Sequence, residues 1–177
     1  MEAVTETVKE NPMCTIKLAK VTVHIAVGKS GEQLEKARKV LEELTGQKTC
    51  TRQAKQTVKE FGIREGEPIA CLTTLRGDRA NEFLKRGLEA VSNTLKGSSF
   101  DENGNFAFGV KEHIEIPGTK YQPELGIFGM DIIGTLERPG YRVKRRRIRP
   151  SRIGKSHRVH REDAVKFMTD KFGVQIK

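Results

Sequence analysis

Residues 20–46 read KVTVHIAVGKSGEQLEKARKVLEELTG, and a change of period inside this stretch decides the fold. As far as Val27 the residues alternate. Val21, Val23, Ile25 and Val27 fall on one side, and Lys20, Thr22, His24 and Ala26 on the other, which is the pattern of a strand covered on one face only. Beyond Gly28 the apolar residues recur at steps of three and four, with Leu34, Ala37, Leu41 and Leu44 making one stripe of a helix. Ser30 is placed to cap that helix, Gln33 to complete a capping box, and Gly46 to end it in the left-handed conformation. A strand that needs a cover, followed at once by a helix with an apolar stripe, supplies both halves of a helix-on-sheet layer.

The pattern then repeats. PIACLTTLR (68–76) is a strand bounded by Pro68 and Gly77, and Asp78 opens a helix whose stripe uses Phe83, Leu84, Leu88 and Val91. The Gly- and Ser-rich KGSSFDENGN (96–105) ends it, and NFAFGVKEHIEI (105–116) and MDIIGTLE (130–137) read as two further strands. REDAVKFMTDKFG (161–173) reads as a last helix with acidic residues in its first turn; it buries Ala164, Val165, Met168 and Phe172 and stops at Gly173. These elements predict an α+β fold, a mostly antiparallel sheet with helices packed on one face and the other face open. At 177 residues the chain suits a single domain over residues 1–177, with residues 1–12 as a flexible lead. The open face would carry Thr22 and His24, joined by Thr51, Gln53, Lys55 and Thr57 from the polar stretch Gln47–Val58. Small polar side chains on a flat sheet can meet RNA sugars and phosphates without steric obstruction.

Charge points the same way. Residues 138–161 hold eleven Lys or Arg and no Asp or Glu; the whole chain has 33 basic and 23 acidic residues, so without this stretch 22 stand against 23. All the excess positive charge is local. Like charges packed together repel one another unless a polyanion neutralises them. Pro139, Gly140, Pro150 and Gly154 prevent a long helix, so the segment is a basic arm, mobile when the protein is free. Within KRRRIRPSRIGKSHR (144–158) arginine can grip phosphate bidentately and stack on unpaired bases. Arg142, Lys144, Arg145, Arg146, Arg147, Arg149, Arg152, Lys155 and Arg158 are therefore candidate RNA-binding residues, with Arg52 beside the sheet.

Other chemistries are excluded. VGKSGE (27–32) ends a strand and opens a helix as a phosphate-binding loop does, but Val23 stands where the first glycine of that motif is required. Lys29 and Ser30 are left as a helix cap or a contact to one RNA phosphate. His24 can stack on or bond to a base, while His157 and His160 lie among arginines that repel a metal cation and read as RNA contacts. Asp131, Glu112 and Glu115 accompany no nucleophile, so no catalytic residue, metal or cofactor is expected. Cys14, Cys50 and Cys71 form no CxxC pair and read as free thiols, mostly buried in strands. The first thirteen residues, MEAVTETVKENPM, have neither a basic start nor an apolar core, so no signal peptide or membrane span is expected and the location is cytoplasmic.

Three ordered stretches resemble one family. VTVHIAVGKSGE (21–32), GQKTCTRQAKQTVKEFGIREGEPIACLTTLRG (46–77) and FDENGNFAFGVKEHIEIPG (100–118) running on to GMDI (129–132) look like the signatures of large-subunit ribosomal protein five of bacteria and archaea, numbered eleven in eukaryotes. The likeness extends from about Asn11 to the C-terminus and is archaeal in style. It implies a non-enzymatic constituent of the large ribosomal subunit that binds 5S rRNA and helps attach it in the central protuberance. It assigns the 5S rRNA surface to the sheet near Thr22, His24, Thr51 and Gln53, with Asn common in the family where His24 stands. The loop in AKQTVKEFGIREGEP (54–68), with Lys55, Lys59 and Arg64, would face P-site tRNA. Further implied partners are large-subunit rRNA, neighbouring large-subunit proteins and a small-subunit protein across an intersubunit bridge. The rival reading is a free-standing regulatory RNA-binding module.

Overall fold

The computed structural model describes residues 11–177. The expected flexible lead, residues 1–12, falls outside them except for Asn11 and Pro12, which open a turn closed by Cys14 N–H donating to the Asn11 carbonyl at 2.8 Å. The central strand is β1 (Lys17–Ala26), flanked by β3 (Pro68–Leu75) and β6 (Met130–Glu137), with β2 (Cys50–Gln53) and β5 (Asn105–Val110) at the edges. Every pairing in this five-stranded sheet is antiparallel. A second, two-stranded parallel sheet joins β4 (Thr94–Leu95) to β7 (Gln175–Ile176) at the C-terminal end.

The alternation in β1 does what its spacing predicts. Val21, Val23 and Ile25 are buried and their neighbours Thr22 and His24 are half-buried. Two helices cover the buried side: α1 (Glu32–Thr45), burying Leu34, Ala37, Val40, Leu41 and Leu44, and α2 (Asp78–Ala90), burying Ala80, Phe83, Leu84, Gly87 and Leu88. α2 lies so close to the sheet that a Cβ at Gly87 would come within 2.6 Å of Ile132 Cδ1. Within the sheet the Phe106 ring lies across Gly134 of the next strand, where a Cβ would sit 2.0 Å from a ring carbon. Helix α4 (Arg161–Phe172) adds Ala164 and Met168 to the same core and meets the sheet at β5, while the single-turn α3 (Arg142–Arg145) belongs to the basic segment.

Several local expectations are corrected. Ser30 does not cap α1: Gly31 holds the N-cap position at φ 105°, no side chain caps the helix, and the Ser30 hydroxyl donates to the Glu67 carboxylate. Gly46 does end it, at φ 62°. NFAFGVKEHIEI is a strand only as far as Val110, opposite Met130 where its partner β6 begins; beyond that point the regular ladder gives way to one backbone bond, His113 N–H donating to the Phe128 carbonyl at 3.0 Å. The remainder turns at His113–Glu115, with His113 buried and its Nδ1 accepting the Phe128 N–H at 3.3 Å. Burial holds the His113 pKa below the ordinary histidine value. Of the thiols only Cys71 is buried, with its pKa pushed up to about 11 by that burial, and Cys14 and Cys50 are exposed. In α4 the core contacts narrow to Ala164 and Met168, with Val165 and Phe172 half-covered.

Candidate nucleic-acid interface

Strand register sorts the residues of the uncovered face. Residues directly opposite one another in an antiparallel pair share a face. Across β3, β1, β6 and β5, Thr74, Thr22, Ile133 and Ala107 form one row, and Leu72, His24, Asp131 and Gly109 the next. Lys20, Thr135 and Asn105 form a third row. Ala26, Ala107, Gly109, Asp131 and Ile133 are exposed. Alanine, glycine and threonine make up much of this surface, and among the described residues no helix covers it. His24 Nδ1 lies 3.8 Å from the Asp131 carboxylate across the β1–β6 pair, close enough for a weak, solvent-exposed attraction when the imidazole is protonated.

The expected polar residues of the second segment do not all join this face. Thr51 stands opposite Cys71, which itself faces Ile25, so Thr51 belongs to the helix side of the edge strand. Arg52, opposite Ala70 and Ala26, projects on the open side instead, as does Cys50 opposite Leu72. Gln53 lies past a register shift at the end of β2, and Lys55 and Thr57 lie beyond the strand altogether. A four-residue edge strand whose pairing with β3 shifts before its last residue cannot present the alternate positions that its sequence suggests.

Residues 54–67 instead form a finger with two closures. At its root Ala54 N–H donates to the Glu67 carbonyl at 2.8 Å and Gly66 N–H to the Ala54 carbonyl at 3.0 Å; nearer the tip Val58 and Ile63 exchange bonds of 2.9 and 3.1 Å. Lys59–Phe61 make one tight turn at the tip, ended by Gly62 at φ 66°. Lys55, Lys59 and Arg64 are exposed along the finger, and Phe61 is 71% exposed at its end. Sequence reasoning passed over Phe61, although a lone aromatic inside the polar KEFGIREGE was the available signal. Glu67 ties this root to the start of α1: it accepts from the Ser30 hydroxyl and, at 3.1 Å, from the Arg64 N–H, and these bonds hold its carboxyl below the usual range. Lys29 is exposed, but Glu32 and Glu35 occupy the first turn of α1, so that helix end already carries two carboxylates next to any phosphate that Lys29 and Ser30 could hold.

The basic segment is a loop with a pinned neck. The Tyr141 hydroxyl accepts the Val159 N–H at 3.0 Å and donates to the His157 carbonyl at 3.3 Å, and Val159 is buried in the core. His157 Nε2 lies 2.8 Å from the Pro139 carbonyl, and its ring packs at a tilt on Tyr141, so His157 closes the neck and is not free to read RNA. His160 likewise precedes α4, its N–H donating to Asp163 at 3.2 Å. Asp163 also receives Arg138 at 3.1 Å, and Glu137 receives Arg145, so two carboxylates from outside the segment offset part of its charge. Arg142, Lys144, Arg145, Arg146, Arg147, Arg149, Arg152, Lys155 and Arg158 are all exposed. Except for Arg145, none of these nine has a carboxylate partner among the described residues. No group of three or more His, Cys, Asp or Glu among the described residues could hold a metal ion, and no helix among them is long and apolar enough to cross a membrane.

A sheet face that no helix covers among the described residues, beside a loop of exposed and mostly unpaired cations, defines a protein shaped to lie against a polyanion. The family patterns identify the kind: residues 11–64 match the ribosomal protein L5 pattern, and residues 68–167 match the pattern for the C-terminus of the same ribosomal family. Similar proteins carry the name large ribosomal subunit protein uL5. That of Sulfurisphaera tokodaii is 53% identical over 172 residues, covering 97% of both chains. That of Aeropyrum pernix is 53% identical over 167 residues, 94% of this chain and 87% of the relative, and that of Methanosphaera stadtmanae is 45% identical over 160 residues, 90% and 95%. The chain belongs to the ribosomal protein L5 family. It is therefore a structural, non-enzymatic ribosomal protein, and RNA binding and a place in the cytoplasmic ribosome follow from that membership.

Proposed function

We propose that this chain, as a constituent of the large ribosomal subunit, binds 5S rRNA across the uncovered sheet face and the basic arm and helps to attach it in the central protuberance. The observation that carries the reading is the pairing of a sheet face that exposes Ala26, Ala107, Gly109, Asp131 and Ile133 with a loop whose exposed cations, Arg145 apart, have no carboxylate partner among the described residues. Such a face approaches a sugar–phosphate backbone closely, and such a loop supplies the counter-charge. Thr22, His24 and Arg52 contact the RNA from the sheet, and Arg147, Arg149, Arg152, Lys155 and Arg158 from the arm. The finger of residues 54–67 projects Lys59, Phe61 and Arg64 toward P-site tRNA, where a protruding aromatic can stack on an exposed base. Large-subunit rRNA and neighbouring ribosomal proteins, together with a small-subunit protein across an intersubunit bridge, complete the set of partners.

The test is a binding titration of the whole chain against 5S rRNA, with tRNA and a single-stranded RNA of equal length as competitors. Retention of 5S rRNA against both competitors supports the reading. Equal displacement by all three would leave only an unspecific arm.

A further inference from the structure

Where the arm folds back on the sheet it encloses a cleft of about 640 Å³. One wall is the end of β5 and β6 with the turn before β5, formed by Asn103, Asn105, Thr135 and Leu136; the other is the arm, with Tyr141, Pro150, Ile153 and Val159. Four cations, Lys144, Arg145, Arg152 and Arg158, border it against the single carboxylate Glu137, which is already paired with Arg145. The volume lies within the range of small-molecule sites, which is far more than one phosphate needs. Its chemistry is also mixed: an aromatic and aliphatic lining, two amide side chains, and three cations, Lys144, Arg152 and Arg158, with no carboxylate partner among the described residues. Asn103 and Asn105 each turn their amide nitrogen toward Asp101, at 3.4 and 3.1 Å, so both side chains are held in place beside the cleft.

We propose that this cleft takes one unstacked nucleotide of the bound RNA. The base lies between the sheet end and the arm, its edge is read by Asn105, and its phosphate rests on Lys144, Arg152 and Arg158. A side-chain amide offers a donor and an acceptor to a base edge, an aromatic and aliphatic lining takes a base out of water, and guanidinium groups bind phosphate. Thr135 and Asn105 belong to the outermost row of the uncovered sheet face, so the cleft continues that face and a strand lying on the sheet can turn its next base inward. The inference rests on the RNA-binding reading above.

The test uses the whole chain, with amide NMR signals followed as adenosine monophosphate, inorganic phosphate or a Glu-rich peptide is added, for the wild type and for Thr135→Phe, which fills the cleft without removing a charge. Nucleotide-dependent shifts at Asn105, Thr135 and Ile153, absent with phosphate and lost in the variant, are the expected result. The variant should also bind RNA about tenfold more weakly at an unchanged salt dependence, the loss of one stacked base. If Thr135→Phe melts below the wild type, Ser151→Phe on the opposite wall replaces it. Equal shifts with phosphate alone, larger shifts with the peptide, or wild-type RNA affinity in a folded cleft-filled variant would overturn the proposal. Failure of the wild type to bind RNA at all would instead remove the broader reading.

Discussion

The Tyr141 hydroxyl stands 3.0 Å from the Val159 amide, which donates to it across the neck of the basic arm, while Val159 itself is packed in the core. A charged loop that would otherwise spread under its own repulsion is thereby tied to the body at the point where the chain leaves and re-enters it. Replacing Tyr141 by Phe keeps the ring and removes both of the hydroxyl's bonds, which is worth on the order of 1 kcal/mol per bond. Proteolytic cleavage within residues 142–158 should accelerate severalfold, with the melting of the core little changed. Unaltered cleavage would mean that the neck is held by packing alone.

Gly134 has no room for a side chain, since its position is filled by the Phe106 ring. Gly134→Val should lower unfolding free energy by about 3 kcal/mol, the upper end of overpacking costs, because the buried ring cannot move aside without opening the core. Denaturant melting measures this, and a loss below about 1 kcal/mol would show that the ring relocates freely.

Thiol reactivity follows burial. Cys14 and Cys50 are exposed, whereas Cys71 is buried with its pKa raised to about 11. A thiol reagent should titrate two groups in the native protein and the third only on unfolding. Rapid modification of all three would contradict the packing of β3 beneath α1.

His113 gives a pH signature. Its folded pKa lies below the ordinary 6.5, so the unfolded chain takes up a proton before the folded one. Its contribution to stability is complete above 6.5 and falls as pH drops from there through the depressed folded value. Comparing His113→Gln with the wild type across that window should show a flatter profile in the variant; parallel profiles would rule out His113 as the source.

Charge reversal in the arm separates electrostatics from shape. Arg145 is paired with Glu137, so reversing it also disturbs the neck. Arg147, Arg152 and Lys155 have no such partner among the described residues and make the cleaner triple. With about six phosphate contacts, log affinity for RNA falls against log salt with a slope of roughly −4 to −5. Replacing these three by Glu should roughly halve that slope while the protein still folds, and an unchanged slope would take the arm out of the binding surface.

The contrast between what the sequence made legible and what it hid is physical. MDIIGTLE and the helix stripes of α1 and α2 could be read from local period alone, because one buried face imposes it over many residues. The concentration of charge between Arg138 and Arg161 was equally plain. The face of Thr51 was not, since a short edge strand takes its register from β3 and not from its own pattern. Nor were the roles of His157 and Ser30, whose partners Pro139 and Glu67 are 18 and 37 residues away and meet them only through the fold. The end of β5 depended in the same way on where its neighbour began.

The uncovered face is the central claim, and Ala107 tests it most directly, because it is exposed in the middle of β5 on that face, opposite Ile133. The measurement is the affinity of 5S rRNA for the wild type and for Ala107→Glu at one salt concentration, with equal melting temperatures as the check on folding. If the RNA lies on the sheet, a carboxylate there repels it and affinity falls by about tenfold or more, which corresponds to about 1.4 kcal/mol. Wild-type affinity in the folded variant would mean that the arm alone holds the RNA and that the sheet face serves something else.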